Sequence, residues 1–318
     1  RLCMALLLGW NASLGADAPK PYGPVPTEQQ VKWLRMEWYA FVHFGVNTFT
    51  DKEWGYGDES PALFNPTDFD ADALVKVAKD ANLKGLILTA KHHDGFCLWP
   101  SQYTEHSIKN SPYKDGKGDI VGEVAEACRR QGIKFGIYLS PWDRNHAGYG
   151  TDEYLEYYRN QVRELLTAYG PVFEMWFDGA NGGDGWYGGA NERRKIGVAG
   201  KYYQFDEVYR FVRELQPYVT IFAGESDDSE FRWPGNERGI LDPDSRATVV
   251  PTGGYADGKY LNSAYRPQIN TGTINGTHFR MCEADFPLRK GWFYHESERG
   301  TTKKAAYLTQ RFIGTVGN

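Results

Sequence analysis

Cysteine is scarce in this sequence, with four among 318 residues. Cys97, Cys128 and Cys282 have no metal-ligand spacing and are odd in number once the first turns of chain are set aside, so they read as buried free thiols rather than a disulfide framework. Charge of one sign is equally short. Thirty-six Lys and Arg stand against 41 Asp and Glu, a net −5, with both signs interspersed. No basic stripe could neutralise phosphates, which argues against a nucleic-acid partner. No apolar run is long enough to span a bilayer. Gly-x-Ser-x-Gly, His-Glu-x-x-His and a phosphate-cradling glycine loop are all missing, so serine hydrolysis, a bound metal and a nucleotide cofactor are not indicated; the expectation is no metal and no cofactor. There are no repeats and no low-complexity linkers.

Aromatic residues are abundant. They make up 15% of the chain, with 10 Trp and 21 Tyr, which suits either a large ring-filled core or a cleft that stacks sugar rings. The length fits one barrel-sized domain or two ordinary ones. Leu2-Cys3-Met4-Ala5-Leu6-Leu7-Leu8 followed by Ala12-Ser13-Leu14-Gly15-Ala16 resembles the apolar and cleavage regions of a secretory signal peptide. Residues 1–16 are therefore expected to be part of a signal, and the protein to be secreted or periplasmic.

Periodicity then alternates. Thr27–Glu37 reads as a helix, Trp38–Val46 as a strand, Asp70–Asn82 as an amphipathic helix and Gly85–Thr89 as a strand. Ile120–Gln131 (helix), Lys134–Leu139 (strand), Asp152–Tyr169 (helix), Val172–Phe177 (strand), Phe205–Leu215 (helix) and Val219–Phe222 (strand) continue the pattern, and Ala305–Ile313 reads as a last helix. Gly253–Thr277, rich in Gly, Asn and Tyr, reads as a long binding loop. Strand and helix in strict alternation predict a parallel α/β fold, a (β/α)8-like barrel of the TIM type. Five strands are clear and two doubtful, so the barrel is expected to be incomplete at the C-terminus.

Polar residues collect after successive strands: His43, Glu53, His92, His93, Tyr138, Asp178, Glu237, Glu283 and Asp285. In a barrel they would converge on one rim. Adjacent residues on a strand point to opposite faces, so His92 and His93 are not expected to act together on a metal. A strand-end aspartate such as Asp178 either caps the next turn or stands at the mouth of the sheet. Two carboxylates in an aromatic cleft fit glycoside hydrolysis, one attacking the anomeric carbon and the other protonating the departing oxygen. Spacing alone does not select the pair.

Five ordered motifs, His43-Phe44-Gly45, Glu53-Trp54-Gly55, Lys91-His92-His93-Asp94-Gly95-Phe96, Trp176-Phe177-Asp178-Gly179 and Gly235-Asn236-Glu237-x-Gly239, resemble the α-L-fucosidases of glycoside hydrolase family 29. The resemblance implies a retaining enzyme on a (β/α)8-like barrel with no cofactor, acting on a fucosylated oligosaccharide or glycoconjugate. By position it implies Asp178 as nucleophile and Glu237 as acid/base, with Glu225 a rival. It also implies His43, Glu53, Trp54, His92, His93, Tyr138 and Trp176 around the fucose. In the branch with the Gly-Asn-Glu motif it further implies Glu283, Asp285 and Trp292 against the next sugar of an α-1,3/1,4-linked, Lewis-type glycan. Gly182–Arg194 stands as an insertion relative to that branch. The expected domain is a catalytic barrel over 17–318, with the family's following β-sandwich absent. Alternatives are a retaining glycosidase for another sugar and a secreted glycan-binding protein without turnover.

Overall fold

The computed structural model of the chain describes residues 19–223, 229–251, 255–256, 259–260, 268 and 270–316. The expected signal, Glu225 and about half of the glycine-rich stretch Gly253–Thr277 lie outside the described residues. Five strands, β1 (Ala40–Val42), β2 (Gly85–Lys91), β3 (Lys134–Leu139), β4 (Glu174–Trp176) and β5 (Thr220–Phe222), form one parallel sheet in sequence order. A second parallel pair joins β6 (Phe231–Arg232) to β7 (Met281–Cys282). The parallel α/β frame is as the sequence predicts. Among the described residues the sheet is not closed into a ring.

Helices α1 (Glu28–Leu34), α2 (Ala71–Asp80), α3 (Ile120–Gln131), α4 (Asp152–Ala168), α5 (Phe205–Leu215) and α6 (Ala305–Val316) complete the frame. The starts of α1, α2 and α3 are set by side chains that satisfy otherwise unpaired backbone N–H groups. Thr27 and Gln30 form a reciprocal capping box on α1, Asp70 accepts from Ala73 N at 3.0 Å, and Asp119 accepts from Gly122 N at 2.9 Å. The first strand is shorter than its apolar run suggests, because the chain after Gly45 turns into a short helix, Val46–Thr50.

Both faces of the sheet are covered, so alternate residues feed two separate cores. Leu86, Leu88, Phe135, Ile137, Leu139, Met175, Phe177 and Ile221 pack outward with Val121, Val124, Val162, Leu165 and Val212 of the helices. Ile87, Tyr138, Trp176, Phe222, Phe231 and Met281 face inward, with Trp33, Tyr39, Phe41 and Phe173 against them. The inner core is almost wholly aromatic. Trp176 lies flat between Phe222 (4.3 Å, 5°) and Tyr138 (5.2 Å, 14°).

A register shift between Thr89 and Lys91, just before the last pair of the β2–β3 ladder, turns Lys91 to the outer side. There Lys91, 0% exposed, reaches Asp143 Oδ2 at 3.1 Å and Gln161 Oε1 at 2.8 Å. Asp143 in turn accepts from the backbone N–H groups of Asn145 and His146. This pair locks the end of β2 to the loop after β3. Removing one partner strands a charge in the interior, so Lys91→Met is expected to cost about 3–5 kcal/mol of unfolding free energy, read from urea denaturation.

Candidate active site

Every polar cluster singled out above follows a strand's carboxyl end. Thr89 on β2 staples the end of β1, donating to Val42 O and accepting from Phe44 N, both at 3.1 Å; His43 is thereby held between them. His92 and His93 lie beyond the last residue of β2, in a turn rather than on the pleat. The expectation that they point apart does not hold: their rings are 4.1 Å apart. His43 meets His92 at 5.9 Å and Tyr138 at 5.8 Å. Even so, no group of three or more His, Cys, Asp or Glu among the described residues could hold a metal ion.

Asp178 continues the inner alternation Glu174, Trp176, Asp178. Its Oδ2 accepts from the Tyr138 hydroxyl at 2.7 Å, and its Oδ1 from Ala180 N at 2.6 Å. His93 Nε2 stands 3.9 Å from Asp178 Oδ2. The tautomer of His93 follows from its neighbour. Ser140 gives its only hydroxyl hydrogen to Trp142 O at 2.6 Å, so at 2.7 Å it must accept from His93 Nδ1–H. The bare Nε2 then faces the pocket as an acceptor. His92 Nδ1 is buried with no hydrogen-bond partner.

Burial governs these rings. It pushes His43 down to about 3, His93 to about 4 and His92 well below the ordinary value. All three are neutral around pH 7. The same desolvation acts on Asp94, whose carboxyl rises to about 7 while it accepts from Asn47 Nδ2 at 3.1 Å.

The other wall comes from the last third of the chain. Glu53 acts as a strap: it accepts from the backbone N–H groups of Trp292 and Phe293 and meets His295 Nε2 at 2.9 Å. This seats the Trp292 ring 5.1 Å from His43. The Trp292 indole donates to Glu237 Oε2 at 3.2 Å, so Glu237 is linked through Trp292 and His43 to the Tyr138 that holds Asp178. Asp285 accepts from the Trp233 indole at 3.0 Å, and burial with the charges of Glu283 and Glu237 lifts it to about 7.

Glu283 departs from its expected place on the rim. It is 5% exposed, and its carboxyl accepts the Trp176 indole N–H at 2.9 Å inside the aromatic core. Trp54, in contrast, is 51% exposed, with its edge on His93 at 5.1 Å and on Trp142 at 5.7 Å.

Sequence reasoning passed over Ser140, Trp142, Phe293 and Tyr187. Ser140 and Trp142 follow β3 as the other site residues follow their strands, and that position was their available signal. Tyr187 had none. It sits in the Gly182–Arg194 excursion, where 183–185 and 192–194 form an antiparallel hairpin. The Tyr187 hydroxyl accepts the Trp142 indole at 2.9 Å, and a Cβ at Gly183 would meet the Trp142 ring at 3.0 Å. The hairpin therefore buttresses the cleft. A separate cleft lined by Gln29, Trp33, Met36, Phe173 and Tyr218 opens at the opposite, amino-terminal end of the strands, away from all of these groups.

A parallel α/β frame with an aspartate, neutral histidines and tryptophans gathered beyond the carboxyl ends of its strands is the build of sugar-processing barrels. Residues 22–318 match the family model described as Alpha-L-fucosidase, and the chain belongs to that family. It is 40% identical over 308 residues to Alpha-L-fucosidase 1 of Arabidopsis thaliana, covering 96% of this chain and 56% of that protein. Among solved structures it resembles a glycoside hydrolase 29 family member from an unknown rumen bacterium, with 49% identity and a TM-score of 0.88 over 94% of this chain and 52% of that one. A Ruminococcus gnavus GH29 fucosidase solved in complex with fucose gives 32% identity and a TM-score of 0.77, over 95% and 63%. The chain spans about half the length of the first two.

The neutral histidines set an acid limit on stability. An unfolded chain protonates each near pH 6.5, whereas folded His93 waits until about pH 4. The unfolded state binds more protons in that window, so stability is full above it and falls as pH drops, by about 1.4 kcal/mol per pH unit for each such histidine. His93→Asn is expected to make the acid limb shallower by one proton, measured from urea midpoints across the range.

Proposed function

We propose that the protein is a retaining exo-α-L-fucosidase that releases fucose by double displacement. The observation that carries this reading is Asp178 at the carboxyl end of β4, gripped by Tyr138 and Ala180 and facing the bare nitrogen of His93, in a chain of the α-L-fucosidase family. Asp178 attacks the anomeric carbon while Glu237 gives a proton to the departing oxygen. The resulting β-fucosyl ester removes the charge of Asp178, and Glu237 then takes a proton from water as the water attacks. His43, His92 and His93 offer uncharged nitrogens to the sugar hydroxyls. Trp54 and the neighbouring ring faces offer apolar surface to the methyl group of a 6-deoxy sugar.

Asp178→Ala is expected to lower turnover of an aryl fucoside by several orders of magnitude, and azide to restore part of it with β-fucosyl azide as product. Near-wild-type activity in the variant would remove Asp178 from the nucleophile's role. No turnover of any fucoside by the wild-type chain, with retained binding of fucose, would favour the glycan-binding alternative; turnover of another aryl glycoside would favour the other-sugar alternative.

The finer reading is a preference for α-1,3/1,4-linked, Lewis-type glycans, supported by Trp292 bonded to Glu237 at the mouth and by Asp285 close behind. Trp292 can stack on the sugar next to fucose, and contacts to that remote ring can be converted into rate by positioning the scissile bond. Lewis a and Lewis x trisaccharides are expected to exceed 2′-fucosyllactose and an aryl fucoside in kcat/KM. Trp292→Ala is expected to lose selectively on the Lewis sugars, and preference for the 1,2-linked substrate would refute the linkage. Residues 1–16 support export to the periplasm or the exterior; N-terminal sequencing of the protein recovered from an expressing cell tests this.

A further inference from the structure

Two carboxyls lie in the aromatic interior beneath the cleft, outside the chemistry described above. Glu174 is 0% and Glu283 5% exposed. Each is bonded by an uncharged indole: Trp33 donates to Glu174 Oε2 at 2.7 Å, and Trp176 to Glu283 Oε1 at 2.9 Å. The second oxygen of each, Glu174 Oε1 and Glu283 Oε2, is buried and receives no donor. Glu174 shares the inner face of its strand with Trp176, whose indole Glu283 holds, so the two carboxyls belong to one buried cluster with the Tyr39 hydroxyl, itself without a hydrogen-bond partner, and their charges act on one another. Two bare carboxylates in that position would repel with little solvent to screen them. A single proton between them satisfies both orphaned oxygens at once.

We propose that Glu174 and Glu283 share a proton and form a positioning pair that fixes the indole of Trp176, and through it Tyr138 and Asp178. The geometry supplies the path. Glu283 sets the rotation of the Trp176 ring, Tyr138 stacks on that ring at 5.2 Å, and the Tyr138 hydroxyl donates to Asp178 at 2.7 Å. The surroundings favour the protonated form. Burial and their mutual repulsion raise Glu174, and burial raises Glu283. The other titratable groups facing the pair are Tyr39 from the approach to β1 and Cys282 and Asp285 from β7 and its continuation. The cation on β6, Arg232, lies against Cys282 and donates to Asn270 O and Ser245 Oγ.

The proton count belongs to the folded chain whether or not it cleaves fucosides, so this inference stands apart from the proposed activity. An unfolded glutamate releases its proton near pH 4.3, whereas the folded pair keeps one above that. Its contribution to stability is complete below that pH and declines as pH rises towards the folded value. Infrared spectroscopy of the full chain with glutamate carboxyls labelled by carbon-13 is expected to show a protonated-carboxyl band at neutral pH, shifted or removed in Glu283→Gln. Absence of the band in the wild type overturns the proposal. Glu283→Gln, which can still accept from Trp176, is also expected to flatten the loss of stability with rising pH by one proton; an unchanged slope overturns the sharing. On an aryl fucoside, Glu283→Ala is expected to lower kcat/KM about ten- to a hundredfold, with Glu283→Gln restoring most of it. Unchanged kcat and KM in a folded Glu283→Ala overturns the positioning role.

Discussion

Asp178 is held by a hydroxyl that is itself held by packing. Tyr138 can present its O–H at 2.7 Å only because its ring lies on Trp176, which lies in turn on Phe222. A parallel sheet covered on both faces must fill its inner side with large groups, and here those groups are aromatic rings with polar edges. Buried indole and phenol hydrogens need acceptors. The interior therefore carries carboxyls, Glu174 and Glu283, at positions where aliphatic packing would need none. The polar mouth of the cleft rests on this stack.

Around Asp178 the protein relies on burial rather than charge. Three histidines are kept neutral by desolvation, and the lysine adjacent to them in sequence is turned out of the cleft by the register shift on β2 and paired with Asp143 behind it. The result is a bed of uncharged nitrogens and ring faces beside the Asp178 carboxylate. Such a bed is suited to hydroxyl groups and leaves the Lys91 cation behind the cleft, away from the Asp178 carboxylate.

The far wall is assembled by one acidic side chain acting on the backbone. Glu53, from the loop after β1, gathers Trp292, Phe293 and His295, and the Trp292 indole then reaches Glu237. Segments roughly 240 residues apart are joined at this point. The hairpin at 183–194 plays a comparable part on the opposite side by clamping Trp142 through Tyr187.

What the sequence determined by itself is the part governed by local periodicity and turn chemistry. The bounds of Ile120–Gln131, Lys134–Leu139 and Phe205–Leu215 agree with the folded elements, because capping, helical spacing and alternation act within a few residues. Parallel strands with polar ends also placed Asp178 at the carboxyl end of an inner-facing run. Tertiary structure alone decided which way the ends face. His92 and His93 share the cleft because the chain leaves the pleat just before them. Glu283 turns inward because the Trp176 indole, 107 residues away in sequence, requires an acceptor there. Strand length, register shifts and long-range hydrogen-bond partners depend on what packs against a segment, and no window of sequence contains that information.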